Sequence, residues 1–354
     1  MRPWALYVLA WLAPACGLRL LGGLSRAARF FGARRPIRVV NAPGALELPV
    51  GSAVKVLVWN VQYGAGIDQH FFYDGGPAVS STRETVLRTT EAICDVICRL
   101  QPDVVLLQEV DRRSRRTGKV DEFSILAARL EKEGLGCRCS AAYWRVPYVP
   151  HPKQEHVGRI GMHLATFSRY KIEKAVRHQL PRRPVLLAES RVRRIFNLRR
   201  AVLEARLVGG ATFLNTHLSA FSYADGTLER QVKMLDERIL PAAGSKWFLA
   251  GDFNSLTPFQ KPSELKEAEE RALYTDSSPV APLYARHKAA FSETDFRQPE
   301  PPYTYKAFTS KRADRTIDHA FVSPAATVLS KQVHEPQTDY LSDHQPLEVI
   351  VRFD

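Results

Sequence analysis

The sequence predicts an α/β protein: one domain in which helices cover two packed mixed β-sheets. Three observations carry that expectation. Apolar, β-branched runs such as Val54–Val61 and Val104–Val110 are too continuous for strands with a wet face. Amphipathic runs of helical period lie between them, and 354 residues at 45% hydrophobic content are enough for a sizeable core. A charged fraction of 25% is ordinary, whereas the net charge of +13 points to polyanionic partners such as nucleic acid, phosphorylated molecules or an anionic membrane surface.

Residues 3–18 carry no charge, a run short for a bilayer span and about right for a signal core or a shallow anchor. Arg2 alone precedes it, while Arg19, Arg26, Arg29, Arg34, Arg35 and Arg38 follow, the reverse of a secretory signal. Residues 1–40 are therefore expected to be a membrane-associating segment, with the body of a monomeric protein on the cytoplasmic face; an exported protein with an atypical signal is the alternative. Residues 41–53, with Pro43 and Pro49, read as a linker.

The run Val54–Val61 ends on Asn60, and Val104–Val110 carries Gln108-Glu109 where its apolar residues stop. Between them Ser81-Thr82-Arg83-Glu84 fits a capping box, Val86, Ile93, Ile97 and Leu100 share one helical face, and Gln101-Pro102 stops the helix. A second helix is expected over Glu122–Glu133, then strands over Ala141–Val146 and Ile160–Ser168 around a polar loop whose His151 and His156 read as solvated. Leu198–Leu207 and Ala211–Leu218 read as paired strands about Gly209-Gly210. Leu228, Val232, Leu235 and Ile239 mark a helix ending before Pro241; Lys246–Phe253, Arg315–Val322 and Leu347–Phe353 complete the strands. The five cysteines, among them Cys94 with Cys98 and Cys137 with Cys139, have neither the count of a disulfide framework nor zinc-finger spacing, and read as inert thiols. Neither a dinucleotide-type glycine fingerprint nor a phosphate loop occurs.

Six segments put polar residues at expected strand ends: Asn60, Gln108-Glu109, Asn215-Thr216-His217, Gly251-Asp252-Phe253-Asn254, Thr316-Ile317-Asp318-His319 and Ser342-Asp343-His344. A strand-end carboxylate beside a strand-end amide, Glu109 with Asn60, is what a hard cation asks for, since Mg²⁺ takes few protein oxygens and keeps several waters. Taken singly, each side chain is as readily one that satisfies loop backbone. Together and in this order, with Arg230-Gln231 and Pro346 in support, they make the chain resemble the endonuclease/exonuclease/phosphatase superfamily from about Val54 to Phe353.

The resemblance implies a four-layered α/β sandwich over residues 54–354 and a metal-dependent hydrolase of phosphate esters. It implies Glu109 as the principal ligand of a single Mg²⁺ or Mn²⁺, assisted by Asn60, with Asp343 completing the metal site or its surroundings. It implies His344 as the base with Asp318 fixing its tautomer, Asp252 as the runner-up base, and His217 and Asn254 as donors to the phosphate oxygens. Apurinic endonucleases carry an acid two residues after the first asparagine; Gln62 stands there in this chain, which counts against a second metal.

Three stretches bear on the substrate. Arg112 and Arg113, just after Glu109, are candidates for holding a substrate phosphate, and the basic stretch Arg177–Arg200 is a second. The loop Tyr63–Ser80, long for a strand-to-helix connection, carries Phe71-Phe72-Tyr73, placed to stack on a base, pack on lipid or plug into the body. The N-terminus and this loop favour a phosphodiesterase acting on a lipid head group at a membrane. The charge favours a nuclease on DNA or RNA, a phosphoinositide-type phosphatase comes third, and an inactive binding protein on the same fold is the reading from outside the enzymes.

Overall fold

A computed structural model describes residues 34–183, 198–220, 225–335, 338 and 340–354. Within them lie strands β1 (Arg34–Ile37), β2 (Val39–Val40), β3 (Ala53–Asn60), β4 (Val104–Asp111), β5 (Cys137–Val149), β6 (Gly158–Ser168) and β7 (Ile172–Gln179). They continue with β8 (Ala201–Leu207), β9 (Thr212–His217), β10 (Trp247–Asp252), β11 (Lys288–Ala289), β12 (Asp318–Val322), β13 (Ala326–Val333) and β14 (Leu347–Phe353). One sheet has the order β1-β7-β8-β9-β10-β12-β11 and the other β13-β14-β3-β4-β6-β5-β2. Only β3 with β4 and β9 with β10 run parallel, so both sheets are mixed.

The continuous apolar runs follow from burial on both faces. Val54, Val56 and Val58 of β3 pack with Val104 and Leu106 of β4 against Phe213, Phe248 and Ala250 of the opposite sheet. The alternate residues Leu57 and Trp59 face outward onto Ile93 and Ile97 of helix α1 (Arg83–Leu100) and Leu126 and Leu130 of α2 (Glu122–Lys132). On the far side Leu214, Leu249 and Phe321 lie under Leu228, Val232, Leu235 and Ile239, carried by α3 (Thr227–Met234) and its π-helical continuation Leu235–Ile239. The layers run helix, sheet, sheet, helix, the expected architecture.

Several boundaries differ from the sequence reading. Residues 34–40 are not part of a separate membrane segment: β1 pairs with β7 and β2 with β5, so this stretch closes one edge of each sheet. In β1 exposed Arg34 and Pro36 alternate with partly buried Arg35 and Ile37, an edge-strand pattern that the arginines make read in sequence as a basic surface. Residues 41–53 are no free linker either. Asn41 bonds both backbone groups of Ile172, at 3.0 and 2.9 Å, and buried Leu48 donates its N–H to the Val208 carbonyl at 3.1 Å. The cap of α1 is Thr82, whose hydroxyl accepts the Thr85 N–H at 3.1 Å, and not Ser81. Helical structure after α3 continues through the π turn into Leu240–Ala242, because Pro241 sits in the first turn of that last piece, where no N–H is demanded of it. The sequence reading has no counterpart of β7, whose last residues alone enter the basic stretch, or of β13, a half-exposed edge strand. The described cysteines are free, and no helix among the described residues is long and apolar enough to cross a membrane; residues 3–18 lie outside them.

Candidate active site

All six polar segments meet at one edge of the sandwich. Asn60 and Gln108 are register partners at the ends of β3 and β4, His217 and Asp252 at the ends of β9 and β10, and Asp318 opens β12 opposite Asp252. The sheets are tied together beneath the site by Gln108, whose side chain donates to Asn215 Oδ1 at 2.7 Å, while Asn215 Nδ2 donates to the carbonyls of Leu107 and Ala165 at 3.0 and 2.9 Å. Gln108 and Asn215 are thus ties and not reagents. A bulge between Leu107 and Val110 interrupts the β4 ladder, and Glu109 stands there at φ 59°, strain that the paired strands on either side hold in place. Gly251, at φ 146°, lies so close to the Thr216 carbonyl that an added Cβ would collide with it; this close approach brings Asp252 beside His217.

Three side chains converge on one oxygen. Asp252 Oδ2 accepts from Asn60 Nδ2 at 3.0 Å, lies 3.1 Å from His217 Nε2 and 3.8 Å from His344 Nε2. Its other oxygen accepts the Asn254 N–H at 2.8 Å, and Asn254, at φ 50°, turns its amide onto the Leu218 carbonyl. His344 is gripped from behind: Nδ1 lies 2.7 Å from Asp318 Oδ2, its N–H donates to Ser342 Oγ, and its carbonyl accepts the Trp59 indole N–H at 2.8 Å. Ser342 Oγ in turn donates to the Asn60 carbonyl at 2.7 Å, fastening this loop to β3.

The charges follow from that geometry. Burial pushes the Asp252 carboxyl up to about 7, with Asp318 adding to the rise and His344 opposing it. For His344 burial opposes the charged form, but Asp318 and Asp252 outweigh it and push the imidazole up to about 10. His217 goes the other way, held well below its ordinary value by burial, with Arg200 and His344 beside it. A neutral His217 fits its contacts: Nε2–H faces Asp252, and Nδ1 accepts from the buried Tyr143 hydroxyl at 3.0 Å.

The donor set for a cation is thin. Among the described residues no group of three or more His, Cys, Asp or Glu side chains is arranged to hold a metal ion by itself. Glu109 is partly exposed, makes no hydrogen bond among the described residues, and has His217 Nδ1 as a neighbour 3.8 Å from Oε1. Asp343 is pushed up to about 7 by burial and by Glu109, Asp74 and Asp252, against the pull of His344. Acids that together raise the Asp343 carboxyl, beside a Glu109 carboxylate with no donor, suit a cation bound through few protein oxygens, as Mg²⁺ and Mn²⁺ are.

Not every expected residue joins the cluster. Arg112 spends its guanidinium on Asp121, at 3.0 Å, over the Phe123 ring, and Arg113 points into solvent 3.5 Å from the same carboxylate. Of the basic stretch, Arg177 is buried with Nε on the Ala142 carbonyl, Arg183 pairs with Asp225, and Arg191, Arg193 and Arg194 lie outside the described residues. Phe71 plugs into the body edge-on to Tyr63, while Phe72 stays half-buried near His151. Arg200, which closes the basic stretch, does reach the cluster, its guanidinium 5.4 Å from the Tyr143 ring centroid with Nη1 buried and without an acceptor among the described residues. Sequence reading missed Tyr143. It also missed Tyr305, edge-on to His344 at 5.0 Å. Nothing in the sequence around these residues marks them.

His319, next to Asp318, is structural: Nε2 lies 2.8 Å from the Ser255 carbonyl and Nδ1 2.9 Å from the Tyr284 hydroxyl, contacts that suit the neutral ring. Burial holds it down to about 4, against the contrary pull of Ser255 and Asp318. An unfolded histidine titrates near 6.5, so between those values the unfolded chain binds the proton and the folded chain does not. Its contribution is complete above about pH 6.5 and is lost as pH falls toward 4, about 3 kcal/mol in all. Urea unfolding at pH 7 and pH 4.5 should therefore show a flatter pH dependence in His319→Gln than in wild type; equal slopes would refute the assignment.

The sequence model of the Endonuclease/Exonuclease/phosphatase family matches residues 57–344. No curated protein matches the chain. Solved structures share its fold at low identity. An endonuclease/exonuclease/phosphatase from Beutenbergia cavernae is 20% identical with a TM-score of 0.58, over 85% of this chain and 72% of that one. The human Nocturnin catalytic domain with bound sulfate is 19% identical at 0.53, over 90% and 99%. D. rerio TDP2 complexed with a single-strand DNA product is 17% identical at 0.51, over 85% and 99%. The matched span opens in β3 and closes on His344, so it encloses every residue gathered around Asp252. This chain belongs to the endonuclease/exonuclease/phosphatase family, whose enzymes hydrolyse phosphoric esters and generally depend on a divalent metal.

Proposed function

We propose that the protein is a Mg²⁺- or Mn²⁺-assisted phosphodiesterase whose substrate is a lipid head group or another phosphodiester at a membrane. The observation that carries the chemistry is the convergence of Asn60, His217 and His344 on Asp252. A cation held by Glu109 and Asn60, with Asp343 alongside, would supply positive charge to the phosphoryl oxygens and the leaving group. Asp252 and His344 stand 3.8 Å apart, too close to flank a phosphorus from opposite faces, so both serve the side on which water attacks. With Asp252 near 7 and His344 near 10, the carboxylate is the group able to take the water's proton at neutral pH. His344 then stays charged and donates from Nε2 to a phosphoryl oxygen, Asp318 holding the ring. That reverses the order of preference read from the sequence, in which His344 came first. Neutral His217, fixed by Tyr143, offers its Nε2–H on the same side, and the bond that forms is water oxygen to phosphorus as the ester oxygen departs.

The test is hydrolysis of bis-p-nitrophenyl phosphate against pH. Activity should rise through about pH 7 as Asp252 ionises and fall toward pH 10 as His344 loses its proton, these being properties of the coupled pair. A rate that is flat across pH 6–8, or that needs no divalent metal, would overturn the assignment. The membrane part of the reading is supported by residues 1–33, uncharged over 3–18 and then arginine-rich, which would attach the cytoplasmic face of a membrane. A nuclease reading draws on the same net charge.

A further inference from the structure

Strand β1 begins at the catalytic edge. Arg34 pairs with His178, His178 with Val202, Val202 with Thr216 and Thr216 with Gly251, one cross-strand row that ends beside His217 and Asp252. Three strand spacings separate Arg34 from Thr216, about 14 Å. β1 runs away from this edge toward Ile37, so Arg34, its first residue, stands on the side on which the site opens.

That side carries arginines from both sheets. Exposed Arg145 on β5 pairs with Gly161 of β6, whose carbonyl accepts the Arg112 N–H beyond the Glu109 bulge. Exposed Arg159 donates to the carbonyl of Arg113, and exposed Arg182 follows the end of β7. Arg145 is held below its ordinary value by burial and then by Arg159, Arg112 and Arg35; Arg199 likewise by burial and Arg182. The acids of this rim are committed: Asp121 to Arg112, and Glu155 to Ser80 with Arg115 4.0 Å away.

We propose that Arg34, Arg145, Arg159 and Arg182 form a docking rim for an anionic phospholipid bilayer, which holds the mouth of the catalytic site against the lipid head groups. The proposal deepens the lipid reading above and rests on it for the substrate. A nucleic acid would meet the same charge but offers no apolar phase to residues 3–18, whereas a bilayer takes both the apolar run and the arginines that lead from it to β1.

The experiment compares the full chain with a fourfold variant, Arg34→Gln, Arg145→Gln, Arg159→Gln and Arg182→Gln, on vesicles of phosphatidylcholine with and without phosphatidylserine. Each arginine near an anionic surface is worth roughly a fivefold change in partition, so the variant should lose on the order of 10²-fold or more on phosphatidylserine vesicles and nothing on pure phosphatidylcholine. Hydrolysis of bis-p-nitrophenyl phosphate in free solution should be equal in the two proteins, which separates lost docking from lost folding. If the fourfold variant misfolds, the pairs Arg34 with Arg182 and Arg145 with Arg159 are read instead, each expected to lose roughly 25-fold. Unchanged partition overturns the proposal, as does a variant that keeps its vesicle partition and loses binding to single-stranded DNA. A wild type inactive on the soluble diester would sink the phosphodiesterase reading and leave the partition comparison to decide the docking.

Discussion

Glu109→Gln is expected to lower metal-dependent kcat/KM for bis-p-nitrophenyl phosphate by on the order of 10³-fold, because charge stabilisation by a cation is worth several kcal/mol and each 1.4 kcal/mol is a factor of ten. The fold should not suffer. The Glu109 carboxylate makes no hydrogen bond among the described residues, and it is one of the charges that push Asp343 up to about 7. Removing it relieves a repulsion, so the unfolding temperature without metal should hold or rise slightly. The rise in unfolding temperature that Mg²⁺ produces in the wild type, by binding the folded state alone, should be largely absent in the mutant. Equal stabilisation by Mg²⁺ in both proteins would sink the metal assignment even if activity fell, since activity alone does not separate a ligand from a carboxylate with another role.

What the sequence made legible is what local chemistry marks. Strands β3, β4, β9 and β10 carry apolar runs, and their polar ends are conspicuous because a side chain such as Asn60 or Asp252 has no reason to close an apolar strand unless something meets it there. The grouping of those ends also came through, since parallel pairs β3–β4 and β9–β10 must align them. Contacts between segments far apart in the chain did not. Tyr143 lies mid-strand in β5, 74 residues from His217, and nothing around it distinguishes a hydroxyl that fixes a tautomer from one that merely finishes a core tyrosine. Arg112 and Arg113 misled for a similar reason: position next to Glu109 in the chain says nothing about Asp121, which the Arg112–Asp121 bridge brings back across the loop. Strand β1 was hidden by its own composition, because two arginines followed by a proline read as part of a basic surface run until the β7 edge is known to need a partner. The choice between His344 and Asp252 as base depends on which of two coupled groups keeps a proton, a matter of burial and distance that residue types alone leave open.

His344→Ala should reduce kcat/KM by ~10²–10⁴-fold, as expected for loss of an acid–base or charged donor group, and Asp318→Asn by less. The two losses should not multiply. Asp318 orients only the His344 ring, through the 2.7 Å contact to Nδ1, so once the ring is gone the carboxylate has nothing left to orient, and the double mutant assayed above the acid limb should resemble His344→Ala. The single mutant Asp318→Asn also carries its own signature. An amide oxygen can still accept the Nδ1–H, so the ring stays oriented, but the negative charge that does most to push His344 up toward 10 is removed. The alkaline limb of its pH–rate profile should therefore move to lower pH while the acid limb, set largely by Asp252, moves down as well, because Asp318 is one of the charges raising that carboxyl. A double mutant whose loss equals the product of the single losses, or an Asp318→Asn profile with the alkaline limb unmoved, would mean that the two residues act independently and that His344 is not the charged donor.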